Sequence, residues 1–481
     1  MLHPGVRLTK RVYKQSQPLL RKNEHEILLN YSKRLINTTR FLINLSRKSL
    51  LKIFKVIFLQ RSTLSTFAFA YIFEVLPKLL SSVIHHLFQL KLKGLGNETL
   101  KILTDPLDSQ RLPIFMTKLV ATLNAFTPIY SSILLPHMSN NKLSFYSSFL
   151  AAFTSALLNF PSFQHHKLKH DRYYTLDWTL ILVTRALDTL IISNFKSIFH
   201  TNLKTAKTVG TYGDIVLFVS ACFFIMDSWF FEPEKLTPHY AKWITKASHV
   251  DENVLLGIRY LRDGELDYHP TKPLPHQNHF KDFCIKYNKD PKLGDLNQID
   301  KIPCEILHQF TTKSCWKHVL ILFWVQFKFA FKLYATLNTF LFVFIKKFRG
   351  SPLKYLYKTI RSASFLGAFT GIHWAAFCFI RNYHPNWFGQ KFWDILAPKA
   401  GSALCGTSIL LEYPSRRNEL SLFVLPKALG TFIDPTPTES NIATEVIAFS
   451  LSFAVLIAYA RLQPSKLRGL VGKGLSYMVK H

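Results

Sequence analysis

Between Arg361 and Arg381 lie 19 residues without a formal charge, SASFLGAFTGIHWAAFCFI. At about 1.5 Å of rise per residue, a helix of this run roughly matches the ~30 Å hydrocarbon core of a bilayer. Its heart, Leu366-Gly-Ala-Phe-Thr-Gly-Ile372, has an echo far upstream in Leu123-Asn-Ala-Phe-Thr-Pro-Ile129, with five of seven positions identical. Further echoes follow in the same order. Leu157-Leu-Asn-Phe-Pro-Ser162 matches Leu410-Leu-Glu-Tyr-Pro-Ser415, and Arg185-Ala-Leu-Asp-Thr189 matches Lys427-Ala-Leu-Gly-Thr431. Pro233-Glu-Lys-Leu236 matches Pro464-Ser-Lys-Leu467. The conserved order makes chance a poor explanation and predicts two copies of one helical unit, at about 112–245 and 360–475.

Apolar windows suited to crossing a membrane recur at about 114–136, 143–160, 176–195, 211–231, 319–345, 362–380, 395–412, 419–433 and 442–460. A weaker one at 64–88 carries Glu74, Pro77 and Lys78, of which the first and last can neutralise each other at i, i+4. The expected fold class is all-α, a polytopic membrane helical bundle of two four-helix repeats joined by an extra linking span. An odd number of crossings separates the starts of the copies, so the repeats are expected to be inverted.

The expected organisation is a basic N-terminal region at 1–110, holding an amphipathic helix over 27–59 and the 64–88 candidate span. A first helical repeat follows at 111–245 and a polar extramembrane insert at 246–318. A linking span and basic loop occupy 319–359, and the second repeat with a basic tail 360–481.

The net charge of +31 would suggest nucleic acid in a soluble chain. Here the basic residues sit between apolar spans, where they orient helices and meet anionic headgroups. No recognition motif accompanies the charge, so nucleic acid is not an expected partner. Six Lys/Arg in 346–361, Arg416 and Arg417, and five basic residues after 460 place those three segments on one, cytosol-like side.

Several residues are candidates for chemistry. Arg185 and Lys427 occupy matching positions of the two copies, with Asp188 three residues from Arg185. They read as an ion-pair or anion-binding feature, or as a structural pair or snorkelling side chains. Lys328 and Lys332 form a basic i, i+4 pair that would meet lipid phosphate or snorkel to the interface. Cys304, His308, Cys315 and His318 supply four ligands in two close pairs. Zinc is the metal such a set would take, although the spacing is not a standard finger. The alternative is a folded entrance to the next span with buried thiols. The sequence otherwise calls for no cofactor, and the six cysteines form no dense disulfide framework.

Cys304-x3-His308, Ser314-Cys315-x2-His318, Lys332-Leu-Tyr334, Arg361-x-Ala-Ser-Phe-Leu366, Pro233-x-x-Leu236-x3-Tyr240 and the segment ending Ser408-x3-Glu412 resemble the transmembrane protein 135 family over most of 110–475. That family usually has His-Pro where this chain has His308-Gln309. It is distantly similar to four-helix mitochondrial translocase subunits and a peroxisomal membrane protein. The resemblance implies a non-enzymatic, multi-pass protein of a mitochondrial or peroxisomal membrane, acting in lipid or metabolite handling or in organelle membrane dynamics. Anionic membrane lipids, protein partners or a second copy would be its partners. A translocase-like scaffold and an intramembrane metalloenzyme of lipid metabolism are the competing expectations.

Overall fold

The computed structural model describes residues 60–89, 95–135, 138–169, 174–198, 203–340, 351–469, 472 and 474–476. The amphipathic helix expected over 27–59 lies outside the described residues, as does 346–350 of the basic loop. All regular structure among the described residues is helical. Helices α1 (Arg61–Gln89), α2 (Leu95–Thr104), α3 (Leu112–Leu134), α4 (Asn140–Leu168), α5 (Tyr174–Ile198) and α6 (Leu203–Phe231) come first. The short helices α7 (Pro238–Ser248), α8 (Glu252–Asp263), α9 (His279–Lys286) and α10 (Cys304–Leu307) build the polar insert. Helices α11 (Cys315–Phe340), α12 (Pro352–Asn382), α13 (Gln390–Cys405), α14 (Pro414–Gly430) and α15 (Glu439–Leu462) follow.

Among the described residues, six helical stretches are long and apolar enough to cross a membrane: Gly96–Leu134, Asn140–Leu168, Lys207–Phe231, Cys315–Thr336, Pro352–Asn382 and Glu439–Leu462. That fits a multi-pass integral membrane protein. Three expected spans are not among them. α13 and α14 hold 16 and 17 residues, about 24–26 Å of helix, which falls short of the hydrocarbon core. α5 is long enough at 25 residues but carries Asp177, Arg185, Asp188 and Lys196. α1 is also absent from the six, and its Glu74 and Lys78 pair at 3.1 Å as the spacing predicts.

The chain divides into two compact units that cut across the two sequence copies. One contains residues 1–175, 185–193 and 437–481; the other contains 176–184 and 194–436. The first therefore holds α3 and α4 of copy one together with α15, the last helix of copy two. The second holds α12, α13 and α14 of copy two together with α6, the last helix of copy one. The compact units therefore do not coincide with the two expected copies.

In the first unit α4 packs against both α3 and α15. Ala151, Ala152, Ser155 and Ala156 are fully buried, and such small side chains let helix backbones approach closely. Ser155 Oγ donates to the Leu119 carbonyl at 2.6 Å, and Asn159 Nδ2 donates to Thr122 Oγ1 at 2.9 Å. Aromatic rings fill the rest, with Phe160 stacked on Phe449 at 3.9 Å and Phe115 on Phe163 at 4.2 Å.

In the second unit α12 lies between α11 and α13, while α6 packs on α13 and α14. Beyond α13, a 3-10 turn over Gly406–Leu411 carries the chain back toward the Arg361 end of α12. There Arg361 donates to the Leu411 carbonyl and stacks 4.0 Å from the Tyr413 ring, and Arg416 reaches Ser362. The basic clusters around 361 and 416 therefore lie together, as the charge distribution predicts.

The insert buries Leu255, Leu261, Leu266, Phe280 and Cys284 in one hydrophobic core with residues of α6 and α12 such as Trp229 and Phe377. It is tied to α6 by Arg259, whose Nε and Nη2 donate to the carbonyls of Phe230 and Trp229 at 2.6 and 2.8 Å. These carbonyls end a helix and have no partner within it. Asp251 caps α8 through the Asn253 amide at 2.9 Å and accepts from Tyr287 and Lys286 at 2.8 and 3.1 Å. Burial opposes ionisation of Asp251, but these donors outweigh it and hold the carboxyl at about 2.

A carboxyl depressed in the fold stabilises it above the ordinary aspartate value, and that contribution is lost as pH falls through the folded value. Hydrogen-exchange protection of the α8 and α9 amides should therefore decline between about pH 4 and 2. Asp251→Asn should lower protection at neutral pH and flatten the decline; an Asn variant with unchanged pH dependence would contradict the assignment. A second prediction concerns α5. Four of the six candidate spans precede α12, so the odd count that inverts the copies requires α5 to cross as well. If it does, Lys169→Cys and Thr205→Cys should react with a membrane-impermeant thiol reagent from opposite sides. Labelling from one side would make the copies parallel.

Candidate functional site

The loop after Pro303 folds back sharply on itself. Gln309 and Phe310 adopt φ values of 54° and 56°, the left-handed region that bulky residues rarely enter. The turn is held by the Phe310 amide donating to the Glu305 carbonyl at 2.7 Å. Proline could not occupy position 309, because its ring fixes φ near −65°. The reversal brings the α10 residues back to the first turn of α11, and the ligand atoms of Cys304, His308 and Cys315 all come within 4.8 Å of one another. Three of the four residues that the sequence puts forward thus converge.

His318 does not complete the set. Its ring stacks on His308 with centroids 4.1 Å apart and planes 15° apart. Imidazole lone pairs lie in the ring plane, so two nearly parallel stacked rings cannot aim at one ion about 2.0 Å from each. His318 Nδ1 instead approaches Thr311 Oγ1 at 3.3 Å, and its ring edge meets Trp374. The residue nearest the open position is Cys378 on α12, whose Sγ is 3.6 Å from His308 Nε2. The Cys315 thiol lies within hydrogen-bonding reach of both Cys304 and Cys378. Burial keeps the His308 imidazole below its ordinary value, so the ring is neutral at neutral pH.

The same face of α12 supplies donors to the sulfurs. Cys378, Arg381 and Asn382 are spaced i, i+3, i+4 and share one side of the helix. Asn382 Nδ2 approaches Cys304 Sγ at 3.4 Å and Cys315 Sγ at 3.7 Å, and Arg381 Nη1 approaches Cys304 Sγ at 3.3 Å. Arg381 is fully buried and pairs with Asp394 of α13 at 2.6 Å. It also donates to the Ile302 carbonyl, while the Tyr268 hydroxyl donates to Asp394. Gln390 Nε2 adds a further donor to Asp394 at 3.0 Å. Sequence reasoning treated Arg381 as the flank of a span and passed over Asp394 and Cys378. The i, i+3, i+4 spacing of Cys378, Arg381 and Asn382 was the available signal.

The remaining basic candidates fall elsewhere. Asp188 does not neutralise Arg185: it is clamped by Arg468, which reaches both carboxylate oxygens from the tail. Arg185 is 9% exposed and faces inward in the first unit. Lys427, in the second unit, needs no anionic ligand, because Asp177 pairs with it at 2.5 Å and Tyr240 lies under its ammonium at 5.5 Å. Lys328 and Lys332 sit on the exposed side of α11 beside exposed Phe329 and Leu333. That apolar side suits lipid, with the amines snorkelling along it.

A second candidate site lies within the first unit. A cavity of about 580 Å³ is lined by Asn124, Thr127, Asn140, Ser144, Ser148 and Arg461, among others, and no carboxylate lines it among the described residues. Arg461 Nη1 donates to Thr127 Oγ1 at 2.8 Å and to Ser148 Oγ at 3.3 Å. Its Nε is buried and has no hydrogen-bond partner among the described residues. No family model, curated protein or solved structure matches the chain.

Removing one member of a buried ion pair strands the other, at a cost of about 3–5 kcal/mol. Asp394→Asn should therefore destabilise the second unit by that order, lowering its thermal midpoint in detergent. Asp177→Asn, whose Lys427 partner keeps access to solvent, should cost under about 1 kcal/mol. Equal losses would contradict the ranking by burial.

Proposed function

We propose that this chain is a non-enzymatic, multi-pass membrane protein that handles an anionic lipid or small anionic metabolite, with the Arg461 cavity as its binding site. The observation that carries the reading is a guanidinium at the end of an apolar helix, surrounded by hydroxyls and amides with no carboxylate among the described residues. Arg461 lies in the last turn of a candidate span, and taking its charge out of water is costly where the described partners are hydroxyls rather than a carboxylate. The serines, threonines and asparagines around Arg461 donate and accept hydrogen bonds in the way a phosphate or carboxylate group requires. A mitochondrial or peroxisomal membrane is the proposed location, in keeping with the resemblance to the transmembrane protein 135 family.

A second reading, an intramembrane metalloenzyme, is favoured by the Cys304, His308 and Cys315 convergence. A metal there with four protein ligands leaves no open position for substrate, which argues for a structural role. Binding is tested on the full chain in nanodiscs, titrated with phosphatidylglycerol vesicles and, separately, with inorganic phosphate and citrate. Arg461→Gln should weaken binding of the preferred anion at least tenfold, while Arg461→Lys should retain part of it. Saturation by lipid alone identifies a headgroup site, and saturation by the soluble anions a metabolite site. Equal binding by wild type and Arg461→Gln would overturn the reading. Fluorescent tagging against organelle markers tests the location.

A further inference from the structure

We propose that Cys304, His308, Cys315 and Cys378 form a structural zinc site that fastens the polar insert to the membrane helices α11 and α12. The site differs from the set suggested by sequence spacing: Cys378 replaces His318, and the fourth ligand comes from a membrane helix 60 residues away. It is independent of the anion-handling reading, since it lies wholly within the second unit.

Three observations support the assignment. The first is distance. Zinc–sulfur and zinc–nitrogen bonds of about 2.3 and 2.0 Å at tetrahedral angles put sulfur and nitrogen ligands about 3.6 Å apart. Cys304, His308 and Cys315 have ligand atoms within 4.8 Å of one another, and Cys378 Sγ stands 3.6 Å from His308 Nε2 and within hydrogen-bonding reach of Cys315, so closing the set asks Cys378 to move toward Cys304. The second is the tautomer. His308 Nδ1 faces the Thr312 carbonyl at 2.9 Å, and a carbonyl only accepts. Nδ1 therefore carries the proton and Nε2 turns its lone pair toward the thiols, the orientation that outer hydrogen bonds impose on metal-binding histidines. The third is charge. Zinc with three thiolates and a neutral imidazole carries a net charge of −1, and the sulfurs already meet donors from Asn382 and Arg381. Loading one zinc would release three thiol protons, one from each cysteine, and no redox change accompanies it.

Nickel-, copper- and iron-binding sites can also use cysteine, but three sulfurs and one nitrogen in a closed tetrahedral set favour zinc. His318 has a supporting role: stacked on His308 and wedged against Trp374, it fixes the plane of the liganding ring.

The full chain, purified in detergent under reducing conditions, is analysed for metal by inductively coupled plasma mass spectrometry and for ligand type by X-ray absorption. The expected result is one zinc per chain with three sulfur and one nitrogen or oxygen neighbours. His318→Ala should keep the zinc, and Cys378→Ser should lose it or hold it at least tenfold more weakly against a chelator. A wild-type first shell of two sulfurs and two nitrogens would restore His318 and refute the proposal. So would metal-free wild-type protein that takes up no added zinc, or a Cys304–Cys315 disulfide persisting under reduction. If Cys378→Ser does not fold, the wild-type sulfur count decides alone.

Discussion

A guanidinium without access to water sits where the insert meets the membrane helices, and the second unit depends on how it is neutralised. Arg381 is 1% exposed and Asp394 3%. Taking two such charges out of water costs several kcal/mol per ion, which their attraction repays only if every remaining donor and acceptor is also satisfied. Here the accounting is nearly complete. Arg381 reaches Asp394, the Ile302 carbonyl and Cys304; Asp394 also receives Tyr268 and Gln390. These partners come from α12, α13 and two separate stretches of the insert. One ion pair thus fixes the register of four pieces of chain, and the thiol–histidine cluster is built on the same helix face.

Arg461 presents the opposite case. Its burial also takes charge out of water, but its partners are Thr127 and Ser148, which supply dipoles rather than an opposite charge. The contrast is between an arginine neutralised inside the fold and one whose described partners are neutral. A base with a carboxylate and a full set of acceptors has its energy accounted for inside the fold. Arg461 has hydroxyls and an adjoining cavity among the described residues, which is what the anion-handling proposal rests on.

Much of this architecture is legible in the sequence because hydrophobic length is a strong local signal. The runs around 114–136, 143–160, 211–231, 319–345, 362–380 and 442–460 each coincide with a helix long and apolar enough to cross. The runs at 395–412 and 419–433 fall on shorter helices, because the first turns 3-10 at Gly406–Leu411 and the chain restarts at Pro414 as a new helix. The Cys304 loop was visible as ligand spacing, but its fourth member was not. Spacing ranks His318 first because it is three residues from Cys315, whereas a stacking contact turns its ring away and a residue 60 positions further on takes its place. The partners of Lys427 and Asp188, 250 and 280 residues distant, were invisible for the same reason. Long-range ion pairs leave no trace in a local pattern.

The compact units join helices that the sequence echoes would assign to different copies. Sequence similarity records the order in which helices were laid down, while packing records which apolar faces match. α4 offers a stripe of alanine and serine to α15, and the stacked pair Phe160–Phe449 fills the seam. α6 finds its fit on α13, where Gly406 just beyond that helix approaches the Val219 backbone so closely that a Cβ would lie 2.8 Å from its Cα. The first seam combines small residues with an aromatic pair shared by both helices, and the second relies on a glycine that admits the facing backbone. Helices far apart in the chain, α4 with α15 and α6 with α13, therefore supply the two seams.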